Sequence, residues 1–167
     1  MIKYLFIALL VVIAIAGYYY YYVPKYIRGA QAPDFSAKTI DGKTFQLSQL
    51  KGSYVLLDFW ASWCPPCRAE SPQMVALQQK YQGRGFEIVS IGLETNETAW
   101  RNAIAKDGLN WQYHISDFKR MASPIAELYG IKSIPTKYLI NPQGTIIGVN
   151  MPYEEINNTL EARLLTK

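Results

Sequence analysis

Two cysteines, Cys64 and Cys67, form one Cys-Pro-Pro-Cys stretch in a chain of 167 residues. Thiols at this spacing can close a small disulfide ring and reopen it by thiol–disulfide exchange. The chain contains no further cysteine, so neither thiol can belong to a separate structural disulfide. The pair therefore predicts a redox-active disulfide that works without any other cofactor.

Zinc binding and a purely structural disulfide are the two other interpretations of this spacing. A zinc site normally takes four ligands, whereas the chain offers no second cysteine pair and one histidine, His114. We therefore predict no metal site. A disulfide that closes so short a loop would stabilise the fold little, which favours redox chemistry over an inert bridge.

The elements on either side of the pair should set its chemistry. Residues 54–60 are a continuous apolar run typical of a strand buried on both faces, and residues 65–82 have helical spacing with Pro72 as a kink. The cysteines would then occupy the first turn of a helix, where free N–H groups stabilise a thiolate. We expect Cys64 to be the more acidic, attacking thiol, and Cys67 to be more buried and to resolve the mixed disulfide.

Asp58 is the one charged residue in the predicted buried strand. Desolvation should raise its pKa, which suits a proton acceptor for Cys67. The alternative is a structural carboxylate satisfied by hydrogen bonds.

The remaining pattern predicts an α/β domain in which helices flank a mixed central sheet. The predicted elements are a hairpin at residues 35–46, a helical turn or loop at 48–51, strands at 86–93, 111–115, 137–140 and 145–149, and helices at 97–106, 123–129 and 154–165.

The N-terminal segment reads as a targeting or anchoring sequence. An apolar run at residues 4–16 precedes five tyrosines and Pro24, and residues 4–23 approach the roughly 20 residues that span a bilayer. Cleavage after Ala16 is the alternative; both interpretations export the C-terminal part. The predicted divisions are an anchor or signal segment at 1–23, a linker at 24–31 and the folded domain at 32–167.

The net charge of +4 comes from scattered lysines and arginines. Without a basic run or stripe, the sequence predicts no nucleic-acid partner.

Residues 58–67, Asp-Phe-Trp-Ala-Ser-Trp-Cys-Pro-Pro-Cys, resemble the active-site stretch of thioredoxins, and Pro72 matches the helix-kinking proline of that family. Residues 133–136, Ser-Ile-Pro-Thr, resemble the family's cis-proline loop. The longer separation of the two motifs, the preceding hairpin and the N-terminal segment are similar to the membrane-tethered TlpA/ResA-like branch. The resemblance implies a thioredoxin-like fold.

The resemblance also implies roles for residues outside the cysteine pair. Pro135 would face the cysteines after a cis bond, leaving the backbone of Ile134 free to bind an extended partner segment by strand addition. An ordinary trans loop proline is the alternative. Trp63 would be an exposed apolar contact beside Cys64, and Trp60 would pack in the core.

Glu94 and His114 are the remaining candidates. Glu94 follows the strand at residues 86–93, where this branch often has an active-site glutamate; the alternative is a solvated loop charge. Many members of the branch have an uncharged residue at position 58, so Asp58 is closer to thioredoxin itself. His114 is interpreted as a satisfied loop or core histidine.

The expected function is disulfide exchange, as a reductant, with thiol or disulfide proteins outside the cytoplasm, such as an apocytochrome in cytochrome c maturation. The resemblance implies a bacterial, membrane-anchored protein on the periplasmic side that is recharged by an upstream donor such as a membrane thiol reductase. A peroxiredoxin-like peroxidase, which needs a threonine or serine one turn before its cysteine, is the alternative enzyme. Residues 59–63 do contain Ala61-Ser62, but the Cys-x-x-Cys form and the flanking tryptophans fit exchange better. A scaffold without turnover would not need both cysteines.

Overall fold

The computed structural model describes residues 2–22 and 25–165. The first helix, α1, runs from Ile2–Tyr22, and the side chains of residues 3–19 are exposed. Within the described residues, no helix meets the length and hydropathy needed to cross a membrane, so the predicted anchor is not confirmed. Val23 and Pro24, predicted to end that segment, lie outside the described residues.

A small hairpin precedes the main sheet, as predicted. Its strands, β1 at Ser36–Lys38 and β2 at Thr44–Gln46, pair antiparallel. Gly42 lies in the turn between them with a φ of 79°, a left-handed conformation that glycine adopts without steric cost. A 3-10 turn follows at Leu47–Leu50.

The predicted mixed central sheet is confirmed and has five strands in the order β5-β4-β3-β6-β7. β3 pairs parallel with β4, which pairs parallel with β5, whereas β6 and β7 continue antiparallel on the other side. The strands are β3 at Tyr54–Trp60, β4 at Phe86–Gly92, β5 at Tyr113–Ile115, β6 at Thr136–Ile140 and β7 at Ile146–Val149.

Helices cover both faces of this sheet. They are α2 at Pro65–Tyr81, α3 at Glu97–Lys106, α4 at Pro124–Tyr129 and α5 at Tyr153–Leu164. Gly130 ends α4 in the left-handed region with a φ of 64°, as expected for a glycine helix stop. A 3-10 turn at Arg120–Ala122, which the sequence pattern did not predict, precedes α4.

Strand β3 divides the apolar core into two layers because its side chains alternate between the faces. Leu56 and Trp60 pack in the cluster that includes Met74 and Leu77 of α2. Leu57 and Phe59 pack in the opposite cluster with Tyr129. Position 58 therefore points towards the α2 face, where the cysteine pair lies.

Each edge of the central sheet carries one further backbone bridge. Gln31 forms an isolated bridge with Thr145, next to β7, and Thr39 forms one with Ile115 in β5. Backbone bonds join residues 29–32 to residues 144–146, including Gly29 N–H to the Ile146 carbonyl at 2.8 Å. Part of the segment predicted as a linker at residues 24–31 is thus attached to the folded domain.

Candidate active site

A disulfide joins Cys64 and Cys67 at the start of α2, with their Cα atoms 5.3 Å apart. Cys64 is the N-cap of the helix, and the Cys67 N–H donates to its sulfur at 3.3 Å. Pro65 begins the helix; its missing N–H costs nothing there because the first-turn donors have no intrahelical acceptor. The helix end therefore directs its free N–H groups and partial positive charge at the Cys64 sulfur.

The two cysteines are almost equally buried, which corrects the expectation that Cys67 would be the more enclosed. Cys64 is 4% exposed and Cys67 6%. Cys64 is shielded because the loop that carries Ile134 lies against it: the sulfur is 3.9 Å from the Ile134 carbonyl oxygen. The expected difference between the thiols therefore depends on the helix end and not on exposure.

The loop opposite the disulfide contains the predicted cis bond, between Ile134 and Pro135. Its position is fixed because the next residue, Thr136, starts β6 and pairs with Phe59 of β3. The Thr136 hydroxyl donates to the Ser133 carbonyl at 2.8 Å and closes the loop. Ile134 and Pro135 are half-buried, so the structure brings both residues to the disulfide with part of their surface open.

Asp58 lies beneath the pair, 8% exposed, and lines one small internal cavity together with Cys67 and Glu70. Burial raises the pKa of Asp58 to about 7; Lys137 opposes this rise in pKa and Glu70 adds to it. Lys137 is the direct β6 partner of Asp58 and forms an ion pair with Glu70. Among the described residues no side chain or backbone N–H donates to the Asp58 carboxyl, and its role as a proton acceptor remains a prediction.

Glu94 is fully buried, which rules out the alternative of a solvated loop charge. Its carboxylate accepts two hydrogen bonds from Ser62, from the N–H at 2.5 Å and from the hydroxyl at 2.8 Å. The chain leaves β4 directly beneath the loop that precedes Cys64, and this brings the two residues together. Glu94 therefore fixes the position of Ser62, two residues before Cys64. Neither of these hydrogen bonds involves a cysteine sulfur.

The two tryptophans lie where the resemblance placed them. Trp60 is 3% exposed in the core, whereas Trp63 is 45% exposed beside Cys64. The Trp63 indole N–H donates to the Leu93 carbonyl at 3.0 Å, and the Arg120 guanidinium lies 4.5 Å from the ring centroid. Although Trp63 is exposed, its ring is therefore held at the edge by this hydrogen bond and at the face by Arg120.

His114 is a buried residue of β5, as expected of a core histidine, but its Nδ1 has no hydrogen-bond partner among the described residues, so the ring is not fully satisfied. Its ring stacks on Trp111 at 5.1 Å, and Nε2 lies 2.9 Å from the Leu109 carbonyl oxygen. Burial lowers the pKa of His114 to about 4, so the ring is neutral at physiological pH. The part of the chain that the structure describes contains no cluster of three or more potential metal ligands.

Three residues of the site were not singled out from the sequence. Glu70 and Lys137 border the surroundings of Asp58, and Arg120 covers Trp63. The sequence did contain an indication for Lys137. This lysine directly follows the predicted cis-proline loop, which was expected to face the cysteines, and it is therefore close to the strand that carries Asp58. No motif or spacing distinguished Arg120 from other surface arginines.

Comparison with known proteins relates the chain to a family. The AhpC/TSA family matches residues 28–149. The thiol-disulfide oxidoreductase ResA of Bacillus subtilis is 34% identical over 121 residues, which covers 72% of this chain and 65% of that protein. The match thus spans just under two thirds of the relative's length.

Solved structures agree with this relationship. The thioredoxin domain of a thiol-disulfide oxidoreductase from Bacteroides vulgatus has a TM-score of 0.76 at 28% identity, covering 84% of this chain and 99% of that domain. A thiol-disulfide oxidoreductase from Bacteroides fragilis has a TM-score of 0.74 at 32% identity, covering 81% of this chain and all (100%) of its own. The chain belongs to the AhpC/TSA family, has a thioredoxin-like fold, and is a homologue of the ResA-type thiol-disulfide oxidoreductases.

Proposed function

We propose that the protein is a thiol–disulfide oxidoreductase that acts on protein partners through Cys64 and Cys67. The observation that carries the proposal is the disulfide at the first turn of α2, where Cys64 is the N-cap and lies beside the half-buried Ile134–Pro135 loop. The helix end stabilises a Cys64 thiolate, and the loop leaves room for the partner's chain.

The exchange proceeds in two steps, attack on the partner disulfide and resolution of the mixed disulfide. The Cys64 thiolate attacks one sulfur of a partner disulfide, forming a mixed disulfide and releasing the partner's other sulfur as a thiolate. The Cys67 thiolate then attacks the Cys64 sulfur, which restores the Cys64–Cys67 disulfide and releases the reduced partner. Asp58, which lines the same cavity as Cys67 and has a pKa of about 7, accepts the Cys67 proton before this second attack.

Trapping tests the assignment of the two cysteines. A Cys67→Ala variant should accumulate mixed disulfides through Cys64, because attack survives and resolution is lost. A Cys64→Ala variant is the matched control and should trap nothing. Covalent adducts resolved by non-reducing electrophoresis and mass spectrometry provide the measurement; equal trapping by both variants would show the roles to be wrongly assigned.

We propose further that the protein works as a reductant. Pro65 and Pro66 place no charged or donor side chain between the cysteines, so Cys64 should be only moderately acidic and its disulfide comparatively stable. We expect a potential near thioredoxin's roughly −270 mV, measured by equilibration against glutathione. A value above about −180 mV would instead indicate an oxidant or isomerase.

The proposed setting is the outer side of a bacterial membrane, with α1 as the attachment and a membrane thiol reductase as the class of electron donor. The exposed apolar side chains of α1, such as Leu5, Phe6 and Val12, support this. Apocytochromes of the cytochrome c maturation route are the proposed class of partner.

A peroxidase is not favoured by the geometry of the active-site loop. The Ser62 hydroxyl, the group nearest in sequence that could bind peroxide, donates to the buried Glu94 carboxylate at 2.8 Å. We therefore expect turnover in an insulin-reduction assay and negligible consumption of hydrogen peroxide with a dithiol donor.

A further inference from the structure

An exposed aromatic ring and an arginine lie beside the disulfide: Trp63 precedes Cys64, and the Arg120 guanidinium lies 4.5 Å from its ring centroid. Trp63 is 45% exposed and Met121 39%. Large apolar side chains this open are few among residues 25–165 that the structure describes. Of these two, Trp63 contacts Arg120, and Met121 is the residue that directly follows this arginine in the chain.

The backbone that carries Arg120 is held in an unfavourable conformation. Arg120 has a φ of 53° and Phe118 a φ of 59°, values in the left-handed region that side-chain-bearing residues seldom adopt. The Arg120 N–H donates to the Glu94 carbonyl at 3.2 Å, and the Phe118 ring packs on Trp100 at 5.7 Å. Conformations of this kind persist where neighbouring contacts impose them, and they concentrate at binding sites.

The Arg120 guanidinium has hydrogen-bonding capacity that the protein does not use. Its side-chain partner within the described residues is the face of Trp63, at 4.5 Å. By contrast, Arg68 is paired with Asp107 and Arg101 with Glu97. A guanidinium stacked on an aromatic ring keeps its in-plane N–H donors available, and these donors match the geometry of a carboxylate.

We propose that Arg120, fixed on Trp63, binds a carboxylate of the partner polypeptide close to its reactive cysteine. This inference rests on the proposed thiol–disulfide exchange and specifies its partners: they carry an aspartate or glutamate near the cysteine, with an apolar neighbour for the exposed Trp63 ring. Because the arginine is already held in place, little conformational freedom is lost on binding.

Two peptide substrates test the proposal with the full-length chain in detergent micelles. Each is a disulfide-linked peptide dimer, and the two differ at one position beside the cysteine, which is glutamate in one and glutamine in the other. The measurement is the ratio of kcat/KM for the glutamate and glutamine peptides. We expect a ratio of about two to five at low ionic strength, within the range of one exposed charge pair, which declines as salt is added.

Arg120→Met should bring this ratio close to one. Arg120→Lys should retain part of it, because the positive charge is kept while the planar guanidinium stacked on Trp63 is lost. Arg84→Met is the matched control: it removes the same charge from an exposed residue just before β4, at the opposite end of the parallel strands, and should keep the wild-type ratio. A wild-type ratio of one, or an unchanged ratio in Arg120→Met, would overturn the inference while exchange itself stands. Absence of reaction with either peptide would overturn the proposed function and this inference together.

Discussion

Burial sets the proton affinity of Asp58, and two charged neighbours adjust it in opposite directions. Lys137 lies directly across from it on β6, and Glu70, which is paired with Lys137, approaches from α2. Their opposed effects leave the pKa of Asp58 at about 7, so this carboxyl can both take and return a proton under physiological conditions. A buried apolar residue at this position would remove the carboxyl that is proposed to accept the Cys67 proton.

The raised pKa of Asp58 predicts a pH-dependent loss of stability. The folded protein holds the proton up to about pH 7, whereas the ordinary value is 3.8, so the free energy of unfolding should fall as the pH rises between these values. Asp58→Asn should remove this slope and raise the free energy of unfolding at pH 8 by about 4 kcal/mol. Denaturant unfolding at pH 5 and pH 8 measures it.

Exposed Glu127 provides the control for this experiment, because Glu127→Gln should leave the pH slope as in the wild type. An Asp58→Asn protein that kept the full slope would assign the pH dependence to another group. Asp58→Asn should also slow resolution by Cys67, since the carboxyl proposed as its base is gone.

At the level of elements, the site depends on contacts that join helices and loops distant in sequence. Arg68 and Ser71, in the first turns of α2, both donate to the Asp107 carboxylate, with Arg68 Nε at 2.6 Å and Ser71 at 3.2 Å. Asp107 is the C-cap of α3. The start of the helix that carries the cysteines is thus fastened to the end of its neighbour by a two-pronged, charge-assisted contact.

Asp107→Asn should lower the free energy of unfolding by about 2 kcal/mol at pH 7. Hydrogen bonding from Arg68 lowers the pKa of Asp107 below 3.8, so this contribution is present above that pH and is lost as the pH falls through the lowered value. Thermal unfolding at pH 7 and pH 3 should show the difference shrinking with acidification. Glu97→Gln, which removes an exposed ion pair, should cost at most about 0.5 kcal/mol, and an equal loss in both variants would contradict the assignment.

Sequence patterns predicted the elements well because each follows from local periodicity. The strand at Tyr54–Trp60 and the helix at Glu97–Lys106 lie at the predicted bounds, and the cysteine and cis-proline motifs meet as expected. Contacts between loops could not be predicted in this way. The bond between Ser62 and Glu94 and the cover of Trp63 by Arg120 join residues more than thirty positions apart, with no repeat or spacing to indicate them.

At the scale of the whole molecule, attachment through α1 remains a prediction. If residues 4–23 insert in a bilayer, the protein should stay in the membrane fraction after washing with alkaline carbonate, because the transfer of apolar side chains into lipid resists high pH and salt. Immunoblotting of the pellet and supernatant provides the measurement. A soluble form whose N-terminus begins at Gly17 would instead show cleavage after Ala16.

The backbone bridges of Gln31 and Thr39, at the β7 and β5 edges of the sheet, should affect how the protein behaves at high local concentration. Uncovered sheet edges act as templates on which the strands of other chains can add, which leads to aggregation. Here part of each edge is paired with the chain's own backbone, and the backbone around Ile134 is the place proposed for an incoming strand. If the protein is attached to a membrane as proposed, these bridges should make neighbouring molecules less prone to edge-to-edge self-association.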